Sequence, residues 1–169
     1  MSVTIRRAAP DDVDFLVALA DHPEVDPFLA ARRPKGRDEL AAEVERSLAE
    51  PEAFGRMVIE VDGERAGAMG YERVNERSRI ARLGGLAVHP DFRGRGVADE
   101  AARLLQRLLF EELDLHRLEL EIYGFNERAI THAERAGFVR EGVKRKAYLR
   151  HGGWVDGVLF GLGREDLEA

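Results

Sequence analysis

Leu83-Gly84-Gly85-Leu86-Ala87-Val88-His89-Pro90-Asp91-Phe92-Arg93-Gly94-Arg95-Gly96-Val97-Ala98 is the stretch on which the reading of this chain turns. An apolar run ends at His89-Pro90, a loop of glycine and arginine follows, and an amphipathic segment begins at about Gly96. That pattern predicts a strand, a loop and a long helix in this order. Free N–H groups at a helix start favour anions, and glycines let a phosphate approach the backbone. The loop is therefore a candidate diphosphate cradle. Gly84-Gly85 interrupts an apolar strand, where glycine marks a bulge or a close backbone approach. No Gly-Lys-Ser/Thr follows the glycines, so this is no Walker loop. Asp99 stands where a dinucleotide fingerprint has its third glycine, and an acid there repels phosphate.

Working outward, the helix from Gly96 to Leu113 carries an apolar stripe of Ala101, Leu104, Leu105, Leu108 and Leu109. Leu118 to Ile122 alternates strictly and predicts a strand. Asn126 caps a following helix that ends at Gly137, a left-handed C′ glycine. Strands at Val143–Arg150 and Trp154–Leu162 are joined across Gly152-Gly153. Towards the N-terminus, strands at Ala66–Val74 and Arg56–Val61 flank the Asp62-Gly63 turn. Two helices precede them, one from Pro10 to Ala20 on Phe15, Leu16 and Leu19, the other from Asp38 to Ala49 on Leu40, Val44 and Leu48. Val3–Arg6 is a first short strand. Strand–helix–strand units in the middle imply parallel pairing, and the flanking hairpins imply antiparallel pairing. The expectation is one α/β (α+β) domain over residues 1–169, with a mixed twisted sheet of about seven strands and helices on both faces.

Composition excludes several classes. The 169 residues hold no cysteine, which removes disulfides, thiolate metal sites and cysteine nucleophiles. The formal charge of −6 argues against nucleic acid as a partner. No apolar run reaches the roughly 18 residues of a membrane span, and no signal core follows Arg6-Arg7. A cytoplasmic location fits. Ser2, Ser47 and Ser78 stand in no nucleophile elbow. His22, His89, His116, His132 and His151 show no metal spacing.

Arg93-Gly94-Arg95-Gly96-Val97-Ala98 resembles the coenzyme A loop of the GCN5-related N-acetyltransferase (GNAT) superfamily. Leu86-Ala87-Val88-His89-Pro90 resembles its fourth strand, and Asn126-Glu127-Arg128-Ala129 with Ala136-Gly137-Phe138 its asparagine helix. Glu141-Gly142, Arg145 and the Gly152-Gly153…Asp156 hairpin are similar to the ribosomal-protein N-terminal acetyltransferase branch. The resemblance implies splayed fourth and fifth strands and acetyl-CoA as co-substrate, with no metal. It implies that Leu86, Ala87 and Val88 hold the pantetheine arm, that residues 93–98 hold the diphosphate, and that Asn126 lies near the arm. It implies acetyl transfer to a primary amine by direct attack in a ternary complex; homodimers are common in the family.

The attack needs a base, an oxyanion donor and an acid for the departing thiolate. The family's usual tyrosine position is Ala133, about 20° from Asn126 around the helix, and alanine has no proton to give. Tyr148 and Tyr123 are the candidate acids, with Tyr148 preferred. Glu72 and Glu121 are the candidate bases, with Glu72 preferred, and Asp156 is expected to pin its hairpin. His132 points about 120° away from Asn126 and is expected at the surface. The Asp11-Asp12 pair is expected to do no more than suit a helix dipole. Two basic segments, Arg32-Arg33-Pro34-Lys35-Gly36-Arg37 and Lys144-Arg145-Lys146 with Arg140 and Arg150, border the expected acceptor pocket. They suggest an acceptor with negative charge beside its amine, such as a peptide N-terminus or an amino acid, and disfavour polyamines. The alternatives are a small-molecule amine acetyltransferase and a non-catalytic acyl-CoA-binding module.

Overall fold

The computed structural model describes residues 1–29 and 36–168. Arg32, Arg33 and Lys35 of the first basic segment lie outside the described residues. A seven-stranded sheet runs in the order β1-β2-β3-β4-β5-β7-β6. Its strands are β1 (Val3–Arg7), β2 (Phe54–Val61), β3 (Glu64–Asn75), β4 (Ile80–Val88), β5 (Arg117–Tyr123), β6 (Val139–Arg150) and β7 (Gly153–Gly163). The helices are α1 (Val13–Asp21), α2 (Arg37–Ala49), α3 (Val97–Arg107), α4 (Glu127–Arg135) and a short α5 (Arg164–Glu168). A single π turn at Leu108–Glu112 prolongs α3. Every neighbouring pair is antiparallel except β4 with β5.

Helices cover both faces, as expected. On one face α3 and α4 bury Val97, Ala101, Leu105, Leu109 and Ala133 against Met57, Ile59, Leu118, Phe160 and Leu162. On the other, α1 and α2 bury Leu16, Leu19, Leu40 and Val44 against Val58 and Ala68. Leu48 is exposed, contrary to the expected stripe, and Ser47 is fully buried in its stead. A spacing of four drifts by about 40° per step, so the third member of such a series has rotated out. Ser47 Oγ instead accepts from Arg56 N–H at 2.9 Å and from Arg7 Nη1 at 3.2 Å.

Asp12 also departs from expectation. It is fully buried, accepting from Arg6 at 2.6 and 2.9 Å, from Arg65 Nε at 2.7 Å and from the Ala9 amide at 2.7 Å. The Arg6 guanidinium, with the other donors, holds its carboxyl far below the usual carboxylate range. The last hairpin turns one residue earlier than expected, at His151-Gly152. Both have positive φ, 53° and 78°, as a type I′ turn requires. Gly137 has φ 99°, as its C′ position demands.

Candidate active site

The parallel pairing of β4 with β5 covers only Ile80–Arg82 against Arg117–Glu119. Beyond Arg82 the strands separate, leaving one edge of each unpaired in the middle of the sheet. Gly84, Gly85 and Leu86 are consequently exposed, although β4 is a central strand. The β3–β4 register shifts between Ala68 and Gly70, opposite the Gly85 kink, where φ is 66°. A side chain at that φ is strained, so glycine is what lets β4 bend away. The bulge read from Gly84-Gly85 is present.

The loop after β4 ends in two left-handed glycines, Gly94 at φ 78° and Gly96 at φ 73°, the latter being the N-cap of α3. Arg93 N–H donates to Pro90 O, and the next such bond runs from Glu100 N–H to Gly96 O. Between them the amides of residues 94–98 find no acceptor among the described residues. These free donors at a helix start form an anion site, and a Cβ at Gly94 or Gly96 would meet nothing within 4 Å. The Arg93 side chain braces this loop, donating to Val88 O at 3.3 Å and Glu24 O at 3.0 Å.

Asp99, in the first turn of α3, accepts from Arg135 at 3.0 Å and lies 2.8 Å from His132 Nδ1. The Arg135 bond, seconded by His132, keeps its carboxyl below the ordinary range. His132 is therefore no surface histidine; it is half-buried and ties α4 to α3. Asn126 caps α4, its Oδ1 accepting from Ala129 N–H at 3.2 Å. Ala133 is buried in the core and carries no ionisable group.

Beyond the split, β5 continues as the opposite wall of the opening. Extending the register sets Glu121 level with Gly84 and Tyr123 level with Leu86. Glu121 Oε1 accepts from Lys144 Nζ at 3.1 Å, and Lys144 lies 3.4 Å from the Tyr148 hydroxyl. The Glu121 carboxylate, then burial, pushes the Tyr148 phenol up, while Lys144 pulls it down. Gly157 of β7 makes the meeting sterically possible. A Cβ there would stand 2.4 Å from Glu121 Oε2 and 2.7 Å from Tyr148 Cε2. Tyr123 stacks on Phe125 at 5.5 Å and meets Tyr148 edge-on at 5.7 Å. Phe28 and His151 approach Phe125 at 6.2 and 5.4 Å, so the loop after α1 and the last hairpin close an aromatic wall.

Of the two preferred catalytic residues, the structure sets Tyr148 beside Glu121 and Tyr123 of β5, the strand that borders the opening, and leaves Glu72 beside the closed part of the sheet. Glu72 pairs with Arg82, where β4 and β5 are still joined, and Arg46 of α2 binds its carboxylate at 2.8 Å. Glu121, the other candidate base, lies on β5 past the paired segment. Asp156 pins the hairpin as expected, accepting from Lys146 N–H at 2.8 Å. Among the described residues no group of three or more metal-binding side chains is assembled, and no helix is long and apolar enough to cross a membrane.

An acetyltransferase (GNAT) domain model matches residues 2–139. The chain belongs to the GNAT family. GNAT relatives extend the match: an uncharacterized N-acetyltransferase, YokL, of a Bacillus subtilis prophage is 29% identical, covering 99% of this chain and 93% of its own. The spermidine N(1)-acetyltransferase of Escherichia coli K12 is 33% identical across 57% of this chain and 52% of its own. The spermidine N-acetyltransferase of Vibrio cholerae, solved with CoA and spermine, superposes with a TM-score of 0.88 at 21% identity, covering 99% and 98% of the two chains. As a GNAT member the chain is an acyltransferase, and the split between β4 and β5 is the family's fold feature in this sheet.

Proposed function

We propose that this GNAT protein moves the acetyl group of acetyl-CoA to a small-molecule primary amine by direct attack. One observation carries the reading. The sheet opens beyond Arg82, with unpaired amides at residues 94–98 past one lip and Glu121 on the facing β5, its carboxylate meeting Tyr148 over Gly157. The amides of Gly94, Arg95, Gly96, Val97 and Ala98 hold the diphosphate. The free edge of β4 at Leu86, Ala87 and Val88 holds the pantetheine arm beside Asn126, and Arg93 keeps the loop in shape.

Near pH 7 an alkylamine is mostly ammonium, so it must lose a proton before it attacks. Glu121 accepts that proton. The nitrogen lone pair forms the C–N bond at the thioester carbon, and a β4 amide donates to the oxyanion. As the C–S bond breaks, Tyr148 gives its proton to the sulfur. The nitrogen loses two protons in all. One replaces the proton Tyr148 gave, and the other leaves through Glu121 to solvent.

A small amine is preferred to an acidic peptide because much of the basic run is already engaged. Lys144 is held by Glu121, and Arg150 donates to the carbonyls of Asp26 and Pro27 at 3.2 and 3.0 Å. The likeness to a spermidine acetyltransferase supports the same preference. Incubation with acetyl-CoA and a panel of alkylamines, polyamines, amino acids and peptides, read by mass spectrometry, tests the reading. An acetyl mass gain on a small amine is expected. Binding of acetyl-CoA without product across the panel overturns it in favour of a non-catalytic module.

A further inference from the structure

We propose that Lys144 is an internal stand-in for the acceptor's ammonium, which every acceptor must displace from Glu121 and Tyr148 before it reacts. This rests on the acetyl-transfer reading above. Lys144 presents the group that the reaction consumes, a primary ammonium on an alkyl stem. Its Nζ lies 3.1 Å from the carboxylate assigned to deprotonate the acceptor and 3.4 Å from the phenol assigned to protonate the leaving sulfur.

The arrangement is built by the backbone. In a regular strand, residues four apart are separated by about 13 Å along the chain. Here Lys144 pairs with Gly157 and Tyr148 with Val155, so four steps on β6 span only two on β7. Lys146, inside this bulge, has φ 46° and ties its N–H to Asp156. The bulge draws Lys144 and Tyr148 together on the face where Glu121 lies. Gly157 leaves the space they share.

The pair is weak enough to be displaced. The Lys144 side chain is 52% exposed and that of Glu121 25%. An ion pair of such exposure contributes about 1 kcal/mol or less, a factor of about five in binding at most. Lys144 thus sets a threshold. An amine that makes contacts besides its ammonium evicts it, whereas a bare ammonium competes poorly.

The test uses Lys144→Met, which keeps the stem and removes the charge, and Lys144→Arg, which restores a cation. Two readouts are taken: KM and kcat for acetyl transfer to primary alkylamines, and calorimetric binding of n-butylammonium without acetyl-CoA. Lys144→Met is expected to lower the amine KM and tighten n-butylammonium binding by about fivefold, with the gain confined to KM. Lys144→Arg is expected to return both to wild-type values. Unchanged or weaker n-butylammonium binding in Lys144→Met overturns the proposal, as does failure of both proteins to bind it. If transfer proceeds and only the Lys144→Met effect is missing, the stand-in falls and the enzyme reading stands. If no product forms but the binding gain appears, the enzyme reading falls and takes the stand-in with it, leaving Lys144 as the displaceable occupant of a non-catalytic amine site.

Discussion

Tyr148 and Glu121 are far apart in the chain and meet because Gly157 has no side chain to keep them apart. In the proposed chemistry they handle different protons: Glu121 takes one from the amine, and Tyr148 gives another to the departing sulfur. Tyr148→Phe and Glu121→Gln are each expected to lower kcat about a hundredfold, the usual scale for losing a positioned acid or base. The acetyl-CoA dissociation constant, measured by calorimetry, should not move. The phenol is raised above its ordinary value near 10, so it keeps its proton up to and beyond that pH. The wild-type rate should therefore show no phenol-type decline below about pH 10, and a fall centred near pH 8 would contradict Tyr148 as the acid. Gly157→Ala attacks the same pair by steric means. Its Cβ meets both side chains, so turnover should drop while acetyl-CoA still binds. Asp12 is a residue of stability alone. Its folded pKa is depressed, so its contribution is complete above about pH 4 and is lost as pH falls towards the folded value. Asp12→Asn should cost about 3 kcal/mol, the low end for breaking a buried pair, because Arg6 and Arg65 are partly exposed. Urea unfolding between pH 2 and 7 checks this, since the variant should lose much of the acid dependence.

Elements explain which parts of the site were legible in the sequence. The β4–loop–α3 unit is a local design. Gly85, Gly94 and Gly96 occupy positive φ because the strand must bend and the loop must aim its amides, and those glycines are visible in the chain. Gly96→Ala would meet no neighbour, so its effect is conformational strain of about 1–2 kcal/mol. The free loop is expected to relax to relieve that strain, so acetyl-CoA affinity falls about tenfold, a change calorimetry resolves. An unchanged affinity would mean that the loop amides do not hold the diphosphate. The proposed acid–base pair was not legible in the same way. It depends on β7 lying between β5 and β6 and on a bulge that compresses β6, and neither leaves a spacing rule in the sequence. Glu72 and Glu121 both sit in alternating strands with similar neighbours. Only strand pairing shows that one lies beside a closed segment of sheet and the other beside the opening. The burial of Asp12 was hidden for a related reason: Arg65 reaches it from a strand more than fifty residues away.

At the scale of the whole molecule, the opening divides the sheet into two antiparallel halves, β1-β2-β3-β4 and β5-β7-β6. Three register pairs join them, from Ile80–Arg117 to Arg82–Glu119, together with the core beneath α3 and α4. An open seam in a central sheet leaves backbone donors and acceptors to water, which a buried sheet ordinarily avoids. A ligand lying along the seam satisfies those groups and links the halves, so it should stabilise the whole fold. Binding to the folded state alone adds about 2.7 kcal/mol when acetyl-CoA is present at a hundred times its dissociation constant. For a chain of this size that corresponds to a rise in Tm of about 5–10 °C. The rise should come with slower hydrogen exchange at residues 84–88 and 94–98, with little change along β1 and β2. Gly96→Ala should shrink the shift at equal acetyl-CoA, whereas Tyr148→Phe should keep it, because the phenol belongs to the acceptor side of the seam. A shift that survives Gly96→Ala intact but vanishes in Tyr148→Phe would place the ligand elsewhere and reverse the assignment of the two sides.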